Sequence, residues 1–151
     1  MSFSYIKELT AKINDALAQL EENGTLTQII ANYIGDDTKG TMPYESPADV
    51  DRSNGTLVMA TNAAFPPFEY VDGNSIVGVD VDIMNKVGEK LGKKVVFKNV
   101  SFDIIVDTVA QGKATNVGAA GLSITDERLE KVNFSQVYYT ANLYVIYNKI
   151  I

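Results

Sequence analysis

The sequence predicts an α/β fold: a three-layer sandwich in which helices cover both faces of a mostly parallel sheet of about five strands. From Gly55 onward, short apolar segments typical of buried strands alternate with segments of helical periodicity. That alternation favours parallel strands connected by helices. A length of 151 residues is sufficient for one domain with its own hydrophobic core. We therefore expect residues 1–151 to form a single α/β unit.

Two amphipathic helices are predicted ahead of the sheet, over residues 5–35. Apolar residues recur at spacings of three and four in the first helix, at Ile6, Leu9, Ile13, Leu17 and Leu20. Asn23 and Gly24 end this helix, Thr25 is expected to cap the second, and Gly35 ends it. A hairpin this small cannot bury both apolar stripes by itself, so we expect it to dock on the rest of the chain.

Residues 36–54 contain turn formers and charges without any period, which predicts a linker or an extended surface strap. Such a length without a regular element is unusual inside a compact domain and suggests a join between two pieces.

The elements of 55–149 then follow in order. Strands are predicted at Thr56–Thr61, Lys94–Asn99, Val117–Ala120, 132–134 and 143–147, and helices at Val79–Leu91 and Phe102–Gln111. A loop rich in aromatic residues and proline follows the first strand, and Asp72-Gly73-Asn74 forms a turn.

The segment from Gly121 to Arg128 leads from a strand into a short helix. Thr125 is a suitable N-cap, and the N-terminus of the helix offers backbone N–H groups to an anion. The guanidinium of Arg128 can hold a carboxylate through two parallel hydrogen bonds. Ser123 adds a hydroxyl, and Gly121 lets a ligand approach the backbone closely. The same residues also fit a surface helix turn with a solvated arginine, and on the motif alone this second interpretation is the more frequent.

Other candidate residues leave two interpretations open. Phe65 and Phe102 follow the first two strands of the sheet and could form an apolar wall beside the loop, or belong to the core. Asp80 and Asp82 could be a metal pair, although stabilisation of a helix N-terminus is the commoner role of such residues. Tyr138 and Tyr139 are adjacent in the sequence and could line a cleft or fill the core.

Composition narrows the function classes. The formal charge of −6 and the pI near 4.6 argue against nucleic acid and anionic membranes as partners. The chain has no Cys and no His, which excludes disulfides, thiol nucleophiles and Cys/His zinc sites, and no cofactor is expected. No apolar run is long enough for membrane insertion, and the first eight residues do not resemble a signal peptide.

Four segments, in this order and spacing, resemble the polar-amino-acid-binding proteins of ABC importers, solute-binding family 3. They are Thr61–Tyr70, Gly78–Asp82, Gly118–Arg128 and Asn133–Ser135. The resemblance covers roughly residues 55–149 and implies the first of the two α/β lobes of a type II periplasmic binding protein. Residues 5–35 resemble the C-terminal helices of the same family, which pack on the first lobe. The resemblance therefore implies a circularly rearranged single lobe, with residues 5–35 packed against the sheet.

The resemblance also implies the roles of the site residues. Arg128 and the backbone N–H of Ser123 would bind the α-carboxylate of an amino acid. The carbonyl of Gly121 and the hydroxyl of Ser123 would bind its α-ammonium, and Phe65 and Phe102 would flank its side chain. Asn62 stands where the family often has Asp, so the resemblance does not imply a preference for cationic side chains.

The expected function is thus weak binding of an amino acid by a lone lobe, without enzymatic activity. An ABC permease is the expected partner in the full-length context, and a homodimer could form through the exposed cleft face. By resemblance the location is periplasmic, or extracellular with a lipid anchor. Two alternatives stay open: a dehydratase-like enzyme, for which only Glu69 lies near the cleft as an acid or base, and a stable half-domain without a ligand.

Overall fold

The structure is a computed structural model that describes residues 3–149. Its helices are α1 (Phe3–Glu22), α2 (Thr25–Ile34), α3 (Val79–Leu91), α4 (Ile105–Gln111) and α5 (Asp126–Leu129), with a 3-10 turn at Phe102–Ile104. Its strands are β1 (Thr56–Thr61), β2 (Ala64–Phe65), β3 (Glu69–Asp72), β4 (Ser75–Val77), β5 (Lys94–Asn99) and β6 (Val117–Gly118).

A parallel sheet forms the middle layer, in the order β5-β1-β6. The register pairs Thr56 with Lys94 at the start of β1 and β5, and Met59 with Val117 of β6. Side chains alternate across β1: Met59 belongs to the core beneath α1, α2 and α3, while Ala60 packs with Ile105 of α4 on the opposite face. The predicted α/β class and its helices on both faces are therefore confirmed.

The number of strands was overestimated. The parallel sheet has three strands rather than about five, and within residues 3–149 no strand follows Gly118. The third strand stops two residues before the predicted Ala120. Residues 132–134 and 143–147 are irregular, and the side chains from Leu143 to Tyr147 are 83–96% exposed. Their composition suits a strand, but strand propensity reflects pairing and burial, and these residues have neither here.

A second, small sheet was not predicted. Strands β2, β3 and β4 form an antiparallel sheet in which Phe65 pairs with Glu69 and Tyr70 with Val77. The predicted turn at Asp72-Gly73-Asn74 lies between β3 and β4, and Gly73 there has a φ of 58°. This sheet turns the aromatic loop into a fixed part of the fold.

The N-terminal hairpin is part of the main core. Helices α1 and α2 pack against each other and against α3. Leu9, Ile13, Leu17 and Leu20 of α1 share one cluster with Leu57, Met59 and Val87. The cap of α2 differs from the prediction: Gly24 occupies the N-cap position, and the side chain of Asn23 accepts the Thr25 N–H.

Residues 36–54 run as an extended strap from α2 along α3 to the start of β1. The Met42 N–H donates to Asn32 Oδ1 over 2.8 Å, and the ammonium of Lys86 lies 4.9 Å from the centre of the Tyr44 ring. The Arg52 guanidinium pairs with Glu89 at 3.5 Å. Each contact ties the segment to the helical face of the molecule.

None of the helices described in residues 3–149 combines the length and apolar character needed to cross a bilayer.

Candidate functional site

The candidate residues lie at the carboxyl end of the parallel sheet. Asn62 follows β1, Phe102 follows β5, and the loop from Gly121 to Arg128 follows β6. The Asn62 side chain donates to the Val100 carbonyl over 2.8 Å, and the Ala63 N–H donates to Asn99 Oδ1 over 3.0 Å. These bonds fix the ends of β1 and β5 side by side, at the edge where open α/β sheets bind ligands.

Arg128 is held against this edge. The hydroxyl of Thr125 accepts the Arg128 N–H over 3.3 Å, so the predicted N-cap of α5 is present. The Arg128 Nη1 group donates to the Ser123 carbonyl over 2.7 Å, and its guanidinium lies 5.8 Å from the centre of the Phe102 ring. The arginine is half-buried between a backbone carbonyl and an aromatic face. This arrangement differs from the fully solvated arginine of the alternative interpretation.

The aromatic residues separate into two environments. Phe65 is 51% exposed and Phe102 is 40% exposed, so neither belongs to the core. Phe68 packs against the main core and stacks on Phe65, with 5.6 Å between the ring centres. Tyr139 meets Phe68 edge to face at 5.3 Å. The two exposed rings are therefore surface features at the edge of the sheet, and their role in flanking a ligand stays a prediction.

Gly121 joins Phe65 to the loop after β6. Its φ of 55° is left-handed, and a Cβ at this position would lie 2.9 Å from Phe65 Cε1. A side chain here would be strained by the backbone and would also displace the ring. Phe65 thus lies beside Gly121, and two residues further along the same loop the Ser123 carbonyl accepts a hydrogen bond from Arg128, whose guanidinium faces Phe102.

The substitution Gly121→Ala is expected to lower the free energy of unfolding by about 1–2 kcal/mol from its left-handed backbone alone, and further because Phe65 must move. Gly73→Ala is a matched control, since its φ is 58° and no atom lies within 4 Å of its Cβ position. Urea unfolding and the NMR signals of Phe65 measure the two effects. Equal losses in both variants, with unchanged Phe65 signals, would contradict the close contact.

Beneath the loop lies a buried acidic pair that the sequence did not predict. Asp80 is 1% exposed, and its carboxylate accepts the Gly121 N–H over 2.8 Å and the Tyr138 hydroxyl over 2.6 Å. Asp80 was interpreted as a residue stabilising a helix N-terminus. It does lie in the first turn of α3, but the N-cap is Gly78 and makes no side-chain bond. The only available signal was its position between Val79 and Val81, which both pack inside.

Glu69 is the second member of the acidic pair. It is fully buried, and neither of its carboxyl oxygens has a hydrogen-bond partner among the described residues. Burial, followed by the neighbouring charge of Asp80, raises the pKa of Glu69 to about 9. Burial also raises the pKa of Asp80, while the bonds from Tyr138 and Gly121 act in the opposite direction. A carboxyl buried this completely is not placed to act on a substrate, which removes the one acid or base considered for a dehydratase.

Beside Arg128 is a shallow depression of about 200 Å³. It is lined by Phe102, Asp103, Val106, Asp107, Glu127, Arg128 and Lys131. Asp103 and Asp107 are exposed, and Asp107 pairs with Lys131 at 2.8 Å. The part of the chain between residues 3 and 149 contains no group of three or more acidic residues arranged to hold a metal ion. The depression therefore combines one aromatic ring, two cations and three carboxylates.

Comparison with known proteins gives a consistent set of relatives. The sequence model of the bacterial extracellular solute-binding proteins, family 3, matches residues 57–150. The arginine-binding extracellular protein ArtP of Bacillus subtilis is 36% identical over 93 residues, covering 62% of this chain and 36% of the relative. A probable histidine-binding protein of Campylobacter jejuni is 31% identical, covering 60% of this chain and 35% of the relative.

Solved structures give the same result. An ancestral arginine-binding protein bound to glutamine superposes with a TM-score of 0.54 and 44% identity, covering 56% of this chain and 38% of that one. The ancestral arginine-binding protein bound to arginine gives the same values. The chain thus spans little more than a third of the length of these relatives. These relatives are amino-acid-binding proteins. Because the family match covers more than half of the sequence, the chain belongs to the bacterial extracellular solute-binding proteins, family 3.

Proposed function

We propose that this chain binds a free α-amino acid at the carboxyl end of its parallel sheet, with Arg128 as the carboxylate ligand. The observation that carries the proposal is the anchoring of Arg128. One Nη1 hydrogen is used on the Ser123 carbonyl, and the remaining N–H groups of the planar guanidinium can form two parallel bonds to a carboxylate. The backbone N–H of Ser123 assists there, and the Gly121 carbonyl with the Ser123 hydroxyl accepts the α-ammonium.

The side chain of the ligand lies between Phe65 and Phe102. Names of the relatives include arginine- and histidine-binding proteins, which supports a polar amino acid as the ligand. Asp103 and Glu127 line the depression beside Phe102 and favour a cationic side chain there. Asn62 adds no charge to the site, and its side-chain N–H donates a hydrogen bond to the Val100 carbonyl.

The chain acts as one lobe of the two-lobed receptor. A lone lobe contacts the ligand from one side only, so binding is weak compared with closure of two lobes. Helices α1 and α2 lie outside the family match and pack on α3, which supports their correspondence to the C-terminal helices of the family in a circularly rearranged order. In the full-length context the lobe serves an ABC importer at the outer side of the membrane.

Titration with the twenty amino acids, followed by calorimetry and by NMR shifts at millimolar ligand, tests this function. Arg128→Ala is expected to weaken binding at least tenfold, because it removes both the positive charge and the planar guanidinium that forms two parallel bonds. Arg128→Lys should recover only part of the loss, since it restores the charge without the bidentate geometry. Lys39→Ala changes the net charge equally at an exposed position in the strap and should bind like wild type.

Two results would contradict the proposal. The first is the absence of binding by every amino acid to the wild-type chain, which would favour a half-domain without a ligand. The second is equal weakening by Arg128→Ala and Lys39→Ala, which would show that the net charge of the surface, and not this guanidinium, governs binding.

A further inference from the structure

We propose that Glu69 and Asp80 are positioning residues that share one buried proton, and that this proton joins the strand pair carrying Phe65 to the loop carrying Gly121. The inference rests on the proposed function only for its consequence on ligand binding. Neither residue touches the ligand positions. Both act on the residues that do.

The geometry connects the two walls of the site through this pair. Glu69 of β3 lies directly opposite Phe65 of β2 in the antiparallel ladder. Asp80 of α3 accepts the Gly121 N–H over 2.8 Å. Gly121 in turn lies against the Phe65 ring, where an added Cβ would be 2.9 Å from the nearest ring atom. A change in the separation of Glu69 and Asp80 would therefore change the contact between Phe65 and Gly121.

In the described part of the chain, no ion pair with a cation compensates either carboxyl group of the pair. Asp80 receives the Tyr138 hydroxyl and the Gly121 N–H, whereas Glu69 receives no hydrogen bond from any group outside the pair in the described part of the chain. The ion pairs found among residues 3–149 involve neither carboxyl group. Two buried carboxylates without a cation cannot both be ionised at an acceptable free energy.

The hydrogen bonds decide where the proton is held. Asp80 has two donors directed at it, which stabilises its charged form, so the proton belongs on Glu69. Glu69 then donates to Asp80 and closes the network. The other titratable groups near this network are Tyr138, and, further along α3, Asp82 with its partner Tyr33. The high pKa of Tyr138, raised by burial, keeps its hydroxyl as a donor throughout the range considered.

Loss of the proton from Glu69 replaces the attraction between Glu69 and Asp80 by repulsion. Glu69 releases its proton to water as the pH rises towards 9, and two adjacent charges then repel each other inside the fold. The strand pair with Phe65 and the loop with Gly121 are expected to separate. A guanidinium is charged at every pH of this range. The loss of binding would therefore come from the altered position of the walls and not from the group that binds the carboxylate.

The first experiment uses the wild-type chain without any ligand. Carbon-detected NMR from about pH 5 to pH 10 follows the side-chain carboxyl carbon of Glu69 and the Cα and carbonyl carbons of Gly121. We expect Glu69 to stay protonated through neutral pH and the Gly121 signals to move with its titration. Titration of Glu69 near 4.5, its ordinary pKa, or Gly121 signals that do not follow it, would overturn the proposal.

The second experiment compares variants, with L-arginine as the probe. Glu69→Gln keeps a donor at this position and cannot titrate, so its Gly121 signals should remain constant up to pH 10. Between pH 7 and pH 10 the affinity of wild type should fall at least tenfold more than that of Glu69→Gln. The ammonium of L-arginine loses its proton in the same range, but it does so equally for both proteins. Glu22→Gln, an exposed change at the end of α1, should behave as wild type.

The outcomes separate this inference from the proposed function. Gly121 signals that follow Glu69, with no L-arginine bound at any pH, support the positioning role and count against amino-acid binding. L-arginine binding with equal pH dependence in wild type and Glu69→Gln supports the function and overturns the positioning role. If Glu69→Gln does not fold, the wild-type titration decides.

Discussion

Replacing Leu20 with alanine is expected to lower the free energy of unfolding by about 3 kcal/mol, within the range for removing a buried leucine side chain. Leu20 is 1% exposed and belongs to the same core cluster as Met59 of the central strand. The loss therefore reaches the sheet and not only α1. Urea unfolding at equilibrium measures the change, and the whole domain should still unfold in one transition.

The matched control is Ile34→Ala at the end of α2, where the side chain is 37% exposed and a much smaller loss is expected. Hydrogen exchange provides a second measurement. The amides in the middle of α1 should be protected as strongly as those of α3, because the two helices pack on each other. Rapid exchange throughout α1 with α3 still protected would show that the hairpin is not part of the cooperative unit.

The elements that could be predicted from the sequence are those with complete local signals. The bounds of β1, β5 and α3 agree with the predictions. Helix α3 combines a helical apolar period with Gly78 before it and Gly92 after it, and Gly92 ends the helix in the left-handed conformation. Strands β1 and β5 are short apolar runs that follow Gly55 and Gly92 in the sequence. Where period, length and boundary residues all agree, local sequence decides the structure.

The elements that were missed depend on distant partners. The small sheet of β2, β3 and β4 consists of strands of two to four residues, too short for any period to be visible. The apolar residues 143–147 were predicted as a strand because their pattern suits one. In the described part of the chain they are exposed and have no neighbouring strand to pair with. In both cases the pairing partner, and not the local sequence, determines the conformation.

The position of the candidate residues after the strands of the parallel sheet could be predicted from the sequence, whereas the buried contacts beneath them could not. Arg128, Phe65 and Gly121 stand out because a charged residue, an aromatic residue in a proline-containing loop and a glycine after a strand are visible in the sequence. The exposure of Phe65 comes from the structure alone. The contact between Asp80 and Gly121 joins residues 41 positions apart, and the sequence offers no way to pair them. The same holds for Tyr33 and Asp82, which are 49 positions apart and connect the hairpin to α3.

Removal of the Tyr33 hydroxyl is expected to cost about 1–3 kcal/mol of stability at neutral pH, the usual range for leaving a buried polar group without its partner. The hydroxyl donates to Asp82 Oδ2 over 2.7 Å, and Asp82 is 6% exposed. In Tyr33→Phe the Asp82 carboxylate loses this donor, and among the described residues the charge of Lys86 remains to stabilise its ionised form. Tyr139→Phe is the control, because the Tyr139 hydroxyl makes no hydrogen bond to the described residues while its ring contacts Phe68.

The pH dependence of this loss distinguishes the bond to Asp82 from a simple packing defect. Burial raises the pKa of Asp82 from 3.8 to about 6, so the unfolded chain releases the proton first. Stability therefore falls as the pH rises from about 4 to about 6, by up to about 1.4 kcal/mol per unit, and the contribution of Asp82 is constant above that range. Without the Tyr33 donor the folded pKa rises further, and the fall continues to higher pH. Tyr33→Phe should thus lie close to wild type at pH 4 and well below it at pH 8 in urea unfolding. An equal difference at both pH values would mean that the Tyr33 hydroxyl does not stabilise the charge of Asp82.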